Sequence, residues 1–301
     1  MASDTIAPLP NRSVISITGA DAAKLLQGLI TNDMETLTKD GSALHAGLLS
    51  PQGKILFDFF VVRTASGILI EIARDKAAEF IKRLTLYKLR ADVVIADVTR
   101  YYSVFAIWGA AVPDEAQSPL TYTDPRLAAL GLRVLADADL VKKLNETPRL
   151  LVVDEHVYDA HRIALGVPEG GKDYEFGDAY PHEAGFDLYR GVSFTKGCFV
   201  GQEVVARMQN KSVVRKRVVK VEGDAPLTTK SDILLSDAPI GRIGSVSGRQ
   251  ALAMIRLDRA ADALDKPAPL TANGVVITVA PDAVADYRKA AAAQSTASGM
   301  L

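Results

Sequence analysis

Apolar positions along the chain fall into short alternating runs and a few helical stripes, the texture of a mixed fold. Val14-Ile-Ser-Ile17 predicts a strand ending at Gly19, and residues 20–30 predict a helix striped by Leu25, Leu26, Leu29 and Ile30, with Asp21 in its first turn. Residues 42–49 and 54–63 read as strands joined by Ser50-Pro-Gln-Gly53, good turn chemistry for a hairpin. Residues 67–73 continue the strand pattern. Asp75 then stands where it would cap a helix whose apolar face is read as Ala78, Ile81, Leu84 and Leu86. Strands follow at 93–98 and 101–108, residues 109–125 read as loop, and 154–165 as a helix closed by Gly166 and Pro168. From residue 216 the texture changes. Short apolar segments at 217–221, 233–235, 241–246, 252–257 and 275–279, separated by Gly, Pro, Asp and Ser, predict a small β-barrel or sandwich. Strands and helices do not strictly alternate before that point, so the fold class is α+β.

A boundary falls at 209–215, dividing the chain into 1–210, 211–285 and an Ala/Ser-rich flexible tail at 286–301. At 301 residues the chain can bury more than one core, and its 48% apolar and 24% charged residues are those of an ordinary globular protein. A net charge of −1 gives no global field for nucleic acid or anionic membrane. The densest basic run, Arg207, Lys211, Arg215, Lys216 and Arg217, lacks the aromatic interleaving that stacks bases, and it reads as a solvated face or an anion contact. No nucleic acid is therefore expected as a direct partner. No apolar stretch approaches the ~20 residues of a spanning helix, so no membrane is expected either. The N-terminus has no secretory pattern, and a single cysteine excludes an intrachain disulfide and a multi-thiolate metal site from one chain. These features predict a cytoplasmic protein with no resident metal.

The one thiol lies in Lys196-Gly-Cys-Phe-Val-Gly-Gln-Glu203. Gly197 and Gly201 flank Cys198, Phe199 and Val200, and glycines at both ends permit unusual backbone angles that aim the thiol. After Gly201 the sequence becomes helix-compatible, with Glu203 and Arg207 at i,i+4. A thiol ahead of a helix and two residues from Lys196 has two reasons for nucleophilic character. The alternative is a small buried hydrophobe, the common fate of a lone cysteine. No Ser/His/Asp or Cys/His pattern lies nearby to support hydrolysis.

This octapeptide resembles the hallmark of the YgfZ family, including its mitochondrial iron–sulfur assembly relatives. Leu26-Gln-Gly-Leu-Ile-Thr-Asn-Asp33 resembles the helix and turn shared with the T-protein of glycine cleavage. His161-Arg-Ile-Ala-Leu-Gly-Val-Pro-Glu-Gly170 and the lead-in Gly191-Val-Ser-Phe194 agree, so the likeness spans roughly residues 12 to 260. It implies a T-protein-like three-lobed arrangement, with two α+β lobes in 1–210 around a central folate-binding opening and a C-terminal β-barrel. It implies a tetrahydrofolate-binding accessory protein that supports assembly or repair of iron–sulfur clusters in client enzymes, tRNA-modifying radical-SAM enzymes among them. The implied partners are folate and iron–sulfur client or assembly proteins. Cys198 is then the reactive thiol and Lys196 tunes it. Gly197, Phe199, Gly201, Gln202 and Glu203 shape the loop.

A folate site wants a carboxylate or amide for the pterin edge and cationic or backbone donors for the glutamate tail. The resemblance points to Asn32 and Asp33 in the shared turn, to Asp58 and to Arg162. Asp58 interrupts the apolar run 55–62, on the strand face of Leu56 and Phe60 and opposite Phe57 and Phe59. The T-protein carries two adjacent acids there, where this chain has Phe57-Asp58. Its Thr-Gly-Tyr-Thr-Gly-Glu-type segment has no counterpart. Both differences weigh against the alternative function, a folate-dependent aminomethyltransferase or other one-carbon transfer enzyme.

Overall fold

The computed structural model describes residues 4–109, 114–211, 213–265 and 268–298. They form two compact units, the first made of residues 1–51, 55–158 and 189–200, the second of 52–54, 159–188 and 201–301. The chain opens with β1 (Asp4–Pro8) and β2 (Arg12–Thr18), which go to two different sheets of the first unit. β2 joins β3 (Ala43–Leu49), β4 (Ile55–Thr64), β5 (Gly67–Ala73) and β6 (Val94–Asp97) in an antiparallel sheet of order β3-β4-β5-β2-β6. β1 joins β7 (Ser103–Trp108), β8 (Thr121–Thr123), β9 (Leu132–Ala136) and β10 (Leu150–Val152) in the order β10-β1-β7-β9-β8, with only the β1·β10 pair parallel.

The two sheets pack face to face. α1 (Ala22–Leu29) and α2 (Ala77–Lys88) cover the outer face of the first sheet, and α3 (Ala138–Asn145) covers that of the second. This explains why β4 is apolar almost throughout. Phe57, Phe59 and Val61 face the helices, while Phe60 and Val62 face the other sheet, so neither side of the strand meets water. α2 buries Ala77, Phe80 and Leu84, with the Phe80 ring centroid 5.4 Å from that of Phe57 and 4.9 Å from that of Phe59. The expected face through Ala78 and Leu86 is corrected: both are exposed, because the large Phe80 ring fixes which side of the helix turns inward. Asp75 lies in a 3₁₀ turn before α2 and caps nothing. The Ser50–Gly53 hairpin forms as expected, with Gly53 at φ +79 and a Cβ there only 2.7 Å from Val204 Cβ.

Between the sheets lies a buried ionic network. Glu71 Oε1 accepts from Arg12 Nε at 2.9 Å and Arg133 Nη1 at 2.7 Å, and its Oε2 accepts from the Tyr122 hydroxyl at 2.5 Å. Asp124 holds Arg126 through two hydrogen bonds of 3.0 and 2.8 Å and Arg133 at 3.3 Å. The Tyr158 hydroxyl accepts from both of those arginines. All three guanidinium groups stand within 5.8 Å of the Phe60 ring centroid. Burial pushes the Asp124 carboxyl up, but Arg126 and Arg133 outweigh it and hold the group far below the usual carboxylate range.

The second unit contains the end of α4 (Glu155–Ala164), α5 (Gln202–Lys211) and a closed barrel. The barrel is formed by β11 (Lys216–Gly223), β12 (Asp232–Leu235), β13 (Ala238–Ser247), β14 (Gln250–Arg256), β15 (Leu270–Ala272) and β16 (Val275–Val279), in the order β11-β14-β13-β12-β15-β16. α6 (Leu257–Asp265) and α7 (Pro281–Ser298) pack apolar residues, including Ala260, Ala261 and Val284, against the barrel's core. Five of the six strands follow the apolar segments of the sequence; β15 has no comparable signal. The expected loop 109–125 contains β8 as well as turns, and residues 110–113 lie outside the described region. Residues 286–298 of the expected flexible tail run as helix, which their alanine content favours.

Replacing Glu71 by Ala leaves the buried Arg12 guanidinium without its carboxylate and Arg133 with Asp124 alone. We expect it to cost about 3–5 kcal/mol, read as a lower urea midpoint, with Glu71→Gln losing less because it keeps a hydrogen-bond acceptor.

Candidate functional site

Residues 189–200 belong to the first unit, although the chain on either side of them belongs to the second. They form an irregular strap fixed to the end of α1 and to β3. Thr31 is the first clamp. Its hydroxyl donates to Gly191 O at 2.6 Å and accepts from Gly47 N at 2.8 Å, while Ser193 N donates to Thr31 O at 3.0 Å. Asn32 is the second, its Nδ2 donating to His45 O at 2.8 Å and to Arg190 O at 2.7 Å. Lys196 is the third. Its ammonium donates to the carbonyls of Gln27 and Ile30, each at 2.8 Å, and of Asn32 at 2.7 Å. Those carbonyls lie at the C-terminal end of α1, where backbone acceptors lack helical partners and a cation is favoured. Burial lowers the Lys196 ammonium to about 8, with Asp33 pulling it back up.

Lys196, expected to tune the thiol, has all three of its donors engaged by backbone carbonyls. Cys198 itself is exposed, which removes the reading of an inert buried hydrophobe. On one side stands anchored Lys196, whose ammonium lies 5.2 Å from the centroid of the half-buried Phe199 ring. On the other is Val200, packed against the core under α1 and α2. Gly201 has φ +81, the angle that favours glycine, and Gln202 and Glu203 open α5. Gly197 differs from expectation: its φ is ordinary and an added Cβ would meet nothing within 4 Å, so the chain path does not require glycine there.

Asp58 is buried. It faces Gly47 across the β3·β4 pair, just beyond the stretch of β4 that pairs with β5. Its charge is felt by His45, which neighbours the same end of the hairpin and whose backbone carbonyl Asn32 holds. Burial drives the His45 imidazole down to about 4; Asp58 raises it, Arg126 lowers it and Asp124 raises it. Asp33 accepts from Gln27 Nε2 at 2.9 Å and from Glu35 N at 3.0 Å, closing the turn after α1. Asn32, Asp33, Asp58, Lys196 and Cys198 thus all belong to the first unit.

Arg162 does not. It is fully buried in the second unit, donating to Asp159 at 2.7 Å, Asp173 at 2.6 Å and Ser245 Oγ at 2.5 Å, with Glu169 at 3.3 Å. The expectation of a ligand contact is corrected: this guanidinium ties residues 159–173 to β13 and has no surface to offer. In the basic run, Arg217 forms two 2.8 Å hydrogen bonds to Asp187. Thr31, His45 and Ser193 escaped the sequence reading because their partners lie far away in the chain, leaving no local signal. Among the described residues no three His, Cys, Asp or Glu side chains converge as a metal site, and no helix is long and apolar enough to cross a membrane.

A two-sheet α+β unit with a closed six-stranded barrel defines a class. Residues 11–140 match the GCVT N-terminal domain, and residues 215–286 match the CAF17 C-terminal beta-barrel domain. The crystal structure of glycine cleavage system aminomethyltransferase T from Bartonella henselae superposes with a TM-score of 0.75 over 92% of this chain and 85% of that one. At 16% identity that likeness shows the fold alone. The human iron-sulfur cluster assembly factor IBA57, mitochondrial, is 30% identical over 82% of this chain and 76% of its own length. A homolog in Mycosarcoma maydis is 34% identical over 71% of this chain, and there the match spans 56% of the relative's length, little more than half. The chain belongs to the IBA57 family of iron-sulfur cluster assembly factors. These relatives are named as mitochondrial, which overturns the cytoplasmic expectation.

Two outcomes follow from this geometry. Native protein should take up one equivalent of maleimide without denaturant, and Cys198→Ser should take up none. The His45 imidazole titrates near 4 when folded, below its ordinary 6.5, so the unfolded chain binds the proton first as pH falls. Stability should be full above pH 6.5 and drain as the pH drops to 4, by up to about 3 kcal/mol. Urea unfolding across that window should show the slope, and His45→Gln should flatten it.

Proposed function

We propose that this chain is an accessory protein that supports assembly or repair of iron–sulfur clusters in client enzymes, radical-SAM tRNA-modifying enzymes among them, and that it binds a tetrahydrofolate. What supports the first part is the exposed Cys198 on a doubly anchored strap, in a chain whose relatives are named as iron-sulfur cluster assembly factors. One thiolate gives one ligand to cluster iron, and clusters are commonly held by four. Cys198 therefore serves as a transient ligand to a cluster in transit, with the remaining thiolates supplied by a partner or client.

For folate, the residues fit in part. Arg162 is withdrawn, and Asn32 and Asp33 have structural bonds to keep. Asp58 fits best: a buried carboxylate on β4, beside a neutral imidazole, suits the N–H edge of a pterin. A bound tetrahydrofolate would supply a reduced pterin and its one-carbon carrier chemistry. The alternative of an aminomethyltransferase rests on fold likeness alone.

In cells lacking this protein, Cys198→Ser should leave a radical-SAM client as inactive as the empty vector does, while wild type restores it. Full rescue by Cys198→Ser overturns the cluster role. Calorimetry with tetrahydrofolate tests the other half. Asp58→Asn should weaken binding about ten-fold or more, the scale of one lost hydrogen bond to a charged group, and no heat with wild type removes the folate reading.

A further inference from the structure

The end of α1 holds a feature that cluster chemistry and folate binding leave unused. Three carbonyl oxygens, those of Gln27, Ile30 and Asn32, converge on a single nitrogen at 2.7–2.8 Å. Gln27 and Ile30 lie where helical hydrogen bonding runs out, so these acceptors are exposed by the geometry of the helix itself. The Asp33 carboxylate adds a favourable charge from the following turn. An arrangement of three convergent carbonyls is the coordination that an ammonium ion takes, with one N–H for each oxygen. Lys196, 164 to 169 residues further along the chain, occupies it.

We propose that the end of α1 is an ammonium receptor, with Lys196 as its tethered occupant, and that this pairing makes Lys196 the positioning residue for Cys198. The proposal goes beyond the assembly role, because it concerns how the strap is held and not what the thiol does. Neighbouring bonds show why the tether matters. Thr31 and Asn32 fix the strap only as far as Ser193, and Val200 fixes its other end. Between them Lys196 ties the strap to the end of α1 through three hydrogen bonds, two residues before Cys198. A Cβ at Gly197 would meet nothing within 4 Å, so packing at that position does not set the direction of the neighbouring thiol, and the ammonium tie one residue earlier bears on it directly. Arginine is a poor replacement. Its planar guanidinium spreads its donors over three nitrogens, whereas the receptor is built around one.

The test is chemical rescue. Lys196→Ala removes the ammonium and leaves the receptor open; barrel and sheets are checked by circular dichroism. Amide hydrogen exchange across 194–199 should speed up by about ten-fold or more, as expected when several charge-assisted bonds are lost. Added ethylammonium should slow it again in a saturable way, while tetraethylammonium, which has no N–H, should not. Lys196→Arg should stay loose. Native exchange rates in Lys196→Ala, or a loosened strap that ethylammonium and tetraethylammonium affect alike, would overturn the proposal. Lys196→Met, which keeps the apolar stem, covers the case in which the alanine variant does not fold: the same loosening is expected, and native rates there overturn the proposal too. None of these readouts involves a cluster or folate, so failure here and failure of the assembly role are separately visible.

Discussion

Three guanidinium groups and two carboxylates closed inside a sheet sandwich set the terms for the first unit. Charges in such a place are tolerated only when fully partnered, because burial alone would penalise each by several kcal/mol. Glu71 answers with two arginines and a tyrosine, Asp124 with two arginines, and the Phe60 face takes part of the remaining field. Arg12 comes from β2, Glu71 from β5, and Tyr122 and Arg133 from β8 and β9 of the opposite sheet. A slip of either sheet by one residue would turn these side chains away from one another. The network therefore fixes the relation of the two sheets more sharply than apolar packing could, since apolar side chains tolerate repacking and paired charges do not.

The outer end of the β3–β4 hairpin inherits that precision. His45 lies within the influence of Arg126 and Asp124 on one side and Asp58 on the other, and its carbonyl is one of the two that Asn32 grips. From there the strap is bound by Thr31, Asn32 and Lys196. Thr31, Asn32 and Lys196 are thus consumed in holding backbone, while the thiol that follows them in the strap is exposed. That economy separates a scaffold, which needs its donors permanently engaged, from the exposed sulfur it carries.

Much of this was legible in the residues. The Ser50–Gly53 turn, the β4 run, the glycine after α4 and five strands of the barrel all carry local signals, because turn chemistry and periodicity act over a few positions. On α2, Ile81 and Leu84 pack inward as the pattern predicts, but Phe80 takes the place expected of Ala78 and Leu86, since a large aromatic ring outweighs smaller apolar side chains. The short strands β8, β9 and β10 gave little signal, being three to five residues long. The octapeptide was recognisable as a unit, but the bonding of its one lysine was not, because its acceptors are backbone atoms, which every residue has. Arg162 misled for the same reason: its three acids and its serine are assembled by the fold, and an arginine on a helix does not announce whether it is buried.

The strap also has a consequence for the order of assembly. Its anchoring carbonyls are made early in the chain and its lysine comes more than a hundred and sixty residues later, after both sheets and the turn-rich stretch that precedes the strap. Closing so long a loop is entropically costly until most of the intervening chain is already compact. The thiol is therefore set in place among the last events of folding. A chain that has misfolded or stalled earlier would present no oriented Cys198, so a thiol held in its native direction is itself a mark that the fold is complete.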